Sequence, residues 1–439
     1  MKTKVLSLLA MMALIAASFA SCSKETADAE QLLATVPSDA SVVMVANLNS
    51  LLQEAGCKVD GEKITPSEAI TKAISGANGD QLSRTLLNGE SGIDPEVAVV
   101  FAEGGYSYLA GTLASADKFK SMIEKETGAK FAKAGDVEYS GIAAVKGNRF
   151  WVKLGNGNID PERVANFAAL SKNQSILSVE GGKNLVTVEH DMEGWADIAG
   201  LMNMSGIDFQ TRAMVQVALQ SVFQDPNYIE FYADFEKNKG VLSATVLNGK
   251  GKAAKLLFPG DKIDVKAVAG IGGNADILMA GAVSQKLIKD LSKKVADQGA
   301  SMVGIYLQAL SSLDGTFAVA TTKDNGYLSG FLTTTGENTA SLSDMLASAM
   351  GITPVKEGKT LRFKKGTMSG TLDVAQGAEM MKGAMFGTVV NQPFGNGAAK
   401  FDLTGGFMLV PGDGTLSIQV RLQAPEGNKT LLERLIEAN

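Results

Sequence analysis

Apolar and polar positions alternate along this chain in a sentence that is written more than once. Its first instance is Pro37–Gly56. The apolar run Val42–Ala46 predicts a strand, Asn47 or Asn49 supplies a polar cap, and Leu48, Leu51, Leu52 and Ala55 follow at helical spacing with Gly56 as the stop. Two apolar runs then flank Glu103-Gly104-Gly105, so Val97–Ala102 and Tyr106–Leu113 predict a hairpin. Ser115 caps a helix with Phe119, Met122 and Ile123 on one face, and Gly128 ends it. The order is strand, helix, hairpin, helix.

The same order is expected three more times. The second unit opens with a strand at Leu185–Glu189, followed by Asp191 as a helix cap and Trp195, Ile198 and Met202 on one helical face. A helix over Gln210–Phe223, a hairpin of Tyr228–Phe235 and Val241–Leu247, and a short helix through Ala253, Leu256 and Leu257 complete it. The third has a strand at Ile277–Ala282, a Ser284 cap, and a helix near Ser301–Ser312. Its hairpin is Phe317–Thr321 and Tyr327–Thr334 about Lys323–Gly326, with a helix through Leu342 and Leu346 and an extra strand at Thr360–Lys364. The fourth starts at Thr371–Val374, carries Met380, Met381, Ala384 and Met385 on its helix, and ends in a hairpin of Phe401–Val410 and Thr415–Leu422. Gly387–Gly397 is read as a mobile loop.

Unequal spacing between copies excludes a solenoid, whose repeats keep one period. The expectation is an α+β fold of two related halves. Each half would hold two units, with antiparallel sheet and helices on one face. The halves are 37–258, which includes an extra hairpin and helix at 129–172, and 268–439. The turn-rich Phe258-Pro259-Gly260-Asp261 divides them.

The first residues change the picture from fold to address. Lys2 and Lys4, an apolar run from Val5 to Ala17 and small residues up to Cys22 form a signal peptide over 1–21. Phe19-Ala20-Ser21-Cys22 resembles a lipobox, with Phe19 where Leu is usual. Cys22 would then carry the lipid, residues 22–36 would be a tether, and the partner would be a membrane. Ser23 is not the Asp that retains lipoproteins at the inner membrane, so an outer-membrane lipoprotein is expected, facing the periplasm or the cell surface. Ser23-Lys24-Glu25 is similar to the start of an acidic surface-export tag that Thr26 interrupts.

Charge excludes one class of partner. The formal net charge is −6, and removing Lys2 and Lys4 makes the mature chain more negative still. With no basic run, nucleic acid is not expected as a partner. Cys57 has no second cysteine to pair with once Cys22 is acylated, and no His or basic cluster adjoins it, so it reads as a small packed residue.

Candidate chemistry is sparse. The single histidine lies in Glu189-His190-Asp191-Met192-Glu193. Residues 189 and 190 would point to opposite faces of a strand end, and Asp191 reads as a cap, so His190 is expected on the solvent side of a strand–helix junction. Gly270-Ile271-Gly272-Gly273-Asn274 lacks dinucleotide-loop spacing and reads as a turn. Met202, Met204, Met214, Met380, Met381 and Met385 fall at helical spacing and read as core rather than as an apolar groove. Trp151 and Trp195 sit in apolar patterns and offer no glycan platform. No catalytic, cofactor-binding or metal residue is assigned, and no cofactor is expected.

The opening VPSDASVVMVANLNSLL and the link SKNQSIL (171–177), with the hairpin–helix alternation, resemble a Bacteroidota lipoprotein family whose domain has no assigned function. The resemblance implies an exported, lipid-anchored α+β protein and offers no catalytic residues. The resulting expectation is a non-enzymatic envelope module that binds a protein or glycan partner in a groove between the halves. A hydrolase using paired carboxylates in that groove, and a carrier of an apolar ligand, are the alternatives.

Overall fold

A strand that is apolar at nearly every position must be covered on both faces, and Val42–Asn47 is such a strand. In the computed structural model the described residues are 25–60, 63–71, 91–155, 157–204, 208–257, 261–290, 310–323, 327–336, 339–367 and 369–438. Cys22, the signal peptide, Phe258–Gly260, most of the helix expected near Ser301–Ser312 and part of the Lys323–Gly326 turn lie outside them.

The first seven long strands are β1 (Val42–Asn47), β2 (Ile93–Glu103), β3 (Tyr106–Leu113), β4 (Arg149–Leu154), β5 (Met192–Asp197), β6 (Pro226–Glu236) and β7 (Lys239–Asn248). The next seven are β8 (Ile277–Val283), β9 (Leu313–Thr321), β10 (Leu328–Thr334), β11 (Thr360–Lys365), β12 (Phe386–Phe394), β13 (Phe401–Pro411) and β14 (Leu416–Gln423). All pair antiparallel, in the spatial order β4-β3-β2-β1-β5-β6-β7-β14-β13-β12-β8-β9-β10-β11. Short strands extend the edges beyond β4 and β11, giving a sheet of 18 strands among the described residues. The fold is α+β.

Besides helical residues at 68–71 and 285–290, the described α-helices are α1 (Glu25–Leu33), α2 (Leu48–Glu54), α3 (Ala116–Thr127), α4 (Pro161–Ala169), α5 (Glu180–Asn184), α6 (Ile198–Met204), α7 (Phe209–Val222), α8 (Val265–Ala269), α9 (Ala340–Met350), α10 (Val374–Met380) and α11 (Leu431–Ala438). Their ends follow local chemistry. Asn47, not Asn49, caps α2 by accepting the Ser50 N–H at 3.1 Å, Ser115 caps α3, and Asp160 caps α4 with Pro161 in its first turn.

The helices do not keep to one face, which corrects the one-sided packing expected. Val43, Val45, Val99, Phe101 and Tyr108 pack with Leu32 and Leu33 of α1 and with Val164 and Phe167 of α4. The opposite face sets Ala46, Leu109, Phe150 and Val152 against Leu48, Leu51 and Leu52 of α2 and Phe119, Met122 and Ile123 of α3. Leu278, Ala280 and Phe331 meet Val268 of α8 and Val374 and Ala378 of α10, while Leu332, Leu361 and Phe363 meet Leu342 and Leu346 of α9. The reason lies in the strands: consecutive positions are apolar, so both sides of the pleat need cover.

Three local expectations are also overturned. In the second unit, Leu185–Glu189 is a turn region; the strand is β5, and Trp195 lies on it rather than on a helix. In the fourth, Gly387–Gly397 is not a loop but largely β12. The expected helix through Ala253 and Leu256 is a two-residue strand, Lys255–Leu256, paired with Phe223–Gln224. Gly270–Asn274 is a turn as expected, with Gly272 and Gly273 at positive φ.

The segments on either side of Phe258–Asp261 meet through the sheet itself, β7 pairing with β14 from Lys239–Gln423 to Thr245–Ser417. A hollow of about 410 Å³ overlies this seam, lined by Lys239, Gln376, Glu379 and Arg421 among others. The Arg421 guanidinium there already donates to the carbonyls of Met380 and Lys382 and to Gln419. Among the described residues, no helix is long and apolar enough to cross a membrane.

Candidate functional site

The segment 187–193 runs from the turn after α5 into the start of β5 and carries several unusual features at once. Val188 has φ +47°, a left-handed conformation that costs a β-branched residue energy, yet its side chain is only 5% exposed. Tertiary packing holds it there, because Val188 belongs to the core beneath α5 with Leu185 and Trp195.

β5 itself fits where it does because of a glycine. Gly194 lies opposite Met44 on one side and Phe231 on the other, and a Cβ at Gly194 would come within 2.3 Å of the Phe231 ring. Glu193 and Trp195, its neighbours, turn to the other face, beside Tyr232 and Glu230 of β6. Gly181 of α5 allows Trp195 to pack beneath the helix, where a Cβ would meet the indole at 2.5 Å.

Glu193 is 7% exposed, and burial pushes its carboxyl up to about 7. The His190 charge and the backbone N–H groups of Glu189 and Val188 pull it back down, while the Glu189 carboxylate adds to the rise. Its Oε1 is buried with no hydrogen-bond partner among the described residues.

His190 is half-buried, not on open solvent as expected. Its ring stacks on Tyr232, with centroids 3.9 Å apart and planes 8° from parallel, and Nδ1 lies 2.8 Å from Asp234 Oδ2. Asp191 is not a helix cap. It is buried, it accepts the Ser50 hydroxyl and the Phe235 N–H (2.6 Å), and its own N–H donates to Asp234 at 3.2 Å. Burial raises its carboxyl above the ordinary value, with these two donors acting in the opposite sense. The helix expected to start at Asp191 begins instead at Ile198, after β5.

His190 and Glu193 border a cleft of about 430 Å³ lined also by Lys183, Asn184, Leu185, Thr187, Glu189, Glu230, Phe231 and Tyr232. Two of its donors are engaged: Lys183 pairs with Glu180 at 2.9 Å, and the Asn184 amide donates to Glu230 at 3.1 Å. No group of three or more His, Cys, Asp or Glu is arranged to hold a metal among the described residues.

The other residues singled out in the sequence fall elsewhere. Cys57 is buried among Leu51, Ile64 and Phe119, and burial pushes its thiol up, consistent with a packing role. Met380 and Met381 are core, whereas Met214 is exposed on α7. Trp151 and Trp195 are both buried. The sequence displayed the charges of 189–193, but no sequence signal marked the packing that buries Glu193 or the conformation of Val188.

No family model matches the chain, and no curated protein matches it. Among solved structures, the chain is similar to TP0453 in its crystal form I, at 11% identity over 50% of this chain and 79% of that one, with a TM-score of 0.29. A likeness of that size carries no functional argument.

Proposed function

We propose that this is a duplicated, lipid-anchored envelope protein that works by binding, and that its ligand site is the His190–Glu193 cleft. The duplication is supported by strand order. Adding seven to each label of β4-β3-β2-β1-β5-β6-β7 gives β11-β10-β9-β8-β12-β13-β14, the order on the other side of the β7–β14 pair. A connecting hydrogen bond repeats as well: Asn47 N–H to the Asp191 carbonyl, and Ala282 N–H to the Met385 carbonyl, 2.9 and 2.8 Å.

One observation carries the choice of site. At the positions these registers match, His190, Asp191, Glu193, Tyr232 and Asp234 in the first half stand where Ala384, Met385, Gly387, Met408 and Val410 stand in the second. The fold accepts an apolar plug there, so the polar set reflects function rather than packing. Crosslinking pull-down from envelopes tests this: wild type recovers a ligand that the His190→Ala/Glu193→Gln variant loses, and equal recovery by both contradicts it.

The anchor is proposed from Cys22 and the lipobox-like sequence before it, in an outer-membrane lipoprotein like the family the sequence resembles. Radiolabelled palmitate incorporation is expected to vanish in Cys22→Ala. A second reading, hydrolysis, draws on Glu193, a carboxyl protonated near neutrality beside the carboxylates Glu189 and Glu230. The fate of the captured ligand separates the two, since an enzyme releases it chemically altered and a binding module unaltered.

A further inference from the structure

We propose, on the premise that the His190–Glu193 cleft is the binding site, that its ligand is an organic cation: an alkyl-ammonium or alkyl-guanidinium group carried on an apolar stem. Three carboxylates, Glu189, Glu193 and Glu230, line the cleft. Lys183 is turned to another acid, Glu180, and His190 Nδ1 to Asp234. Glu193 is buried, and its Oε1 has no hydrogen-bond partner among the described residues, which points to a donor that arrives with the ligand. An unsatisfied buried acceptor is costly, so a bound N–H has a ready gain to make.

The same features argue against other ligand classes. A bare metal ion needs three or four convergent ligands, and the acids here are spread around a space of about 430 Å³. An anion would face like charge. A cation with its own N–H donors fits the spread, because each donor reaches a different oxygen. Leu185 and Tyr232 add apolar wall along which a methylene stem can lie.

The charged and titratable groups around Glu193 are Glu189 and His190 on its own segment, Lys183 on α5, and Glu230, Tyr232 and Asp234 on β6. Burial pushes the Glu193 carboxyl up to about 7, so it gains negative charge as pH rises through neutrality. Binding is therefore expected to strengthen about tenfold or more between about pH 5.5 and pH 8.

The test is an NMR titration of the full chain with n-butylguanidinium and n-butylammonium, with n-butanol as the uncharged control. Saturable shifts at the cleft from the cations and none from butanol are expected, with affinity about tenfold weaker in Glu193→Gln. Glu230→Gln, at the rim, gives a smaller loss and keeps the test independent of any folding defect at Glu193. A titration with acetyl-Gly-Arg-Gly-amide separates the sources: tighter binding than the free cation assigns the group to a polypeptide, weaker binding to a small amine. Failure of every cation to saturate, equal binding of butanol, or unchanged affinity in both folded variants overturns the proposal. If envelope pull-down through the cleft still succeeds in that event, the ligand class is wrong and the binding site stands.

Discussion

β5 and β12 each lie beside a strand central to its region of the sheet, and they carry opposite chemistry at matched positions. Val45 pairs with Glu193, which pairs with Tyr232; Ala280 pairs with Gly387, which pairs with Met408. Around Glu193 lie a histidine, a tyrosine and two further glutamates. At Gly387 the space a side chain would need is taken by Met408 Sδ, 2.7 Å from an added Cβ, and Met381 Cγ at 3.0 Å, and both methionines are wholly buried. One location is filled like a core, and the other like a site. The polar version is therefore not something the sheet requires.

The polar version is also costly. The Glu193 carboxyl titrates at about 7 in the folded protein, against 4.5 for the ordinary group. Between those values the folded chain holds a proton that the unfolded chain has released, so stability falls as pH rises through this window. Above it, the penalty reaches about 3 kcal/mol, a sizeable share of a typical folding free energy.

The sharpest way to break the comparison is to exchange its chemistry. Gly387→Glu puts a carboxylate among Met381 and Met408 with none of the partners that surround Glu193, and a loss of about 3–5 kcal/mol in urea unfolding is expected. Glu193→Gln should do the reverse near pH 8, stabilising by up to about 3 kcal/mol, with the gain vanishing below about pH 3.5 where Glu193 is protonated in both states. A gain that does not depend on pH would show that burial is not the source of the shift. His190→Ala removes the Tyr232 stack and the Asp234 contact for about 1 kcal/mol. It also removes a charge that lowers the Glu193 carboxyl, so carboxyl carbon NMR should show the midpoint of Glu193 moving upward. Lys183→Ala, at an exposed pair within one helical turn, should change stability by no more than about 0.5 kcal/mol. A larger loss would mean that Lys183 supports the cleft directly.

Much of the fold was legible where the signal is local. The caps Asn47, Ser115 and Asp160 and the hairpins β2–β3, β6–β7 and β13–β14 follow from side-chain type and turn chemistry within a few residues. β5 was not legible, because MEGWAD has no apolar alternation and its Gly194 makes sense only against the ring of Phe231, far along the chain. β12 was hidden the same way, Gly387 being explained by Met381 and Met408. Asp191 looked like a cap because an acid precedes residues at helical spacing, but its partners are Ser50 and Phe235 on other elements. The site shared that fate: its charges could be read in 189–193, and the burial that gives them unusual properties could not.

The most direct measurement compares the two locations in living cells. A photo-crosslinking residue is placed at exposed Thr187, before β5, and in a second protein at exposed Lys382, before β12. An adduct at Thr187 that disappears with Glu193→Gln, and no adduct at Lys382, is the expected result. Matching adducts at both positions, or an adduct at Lys382 alone, would contradict the assignment of the site to the polar cleft.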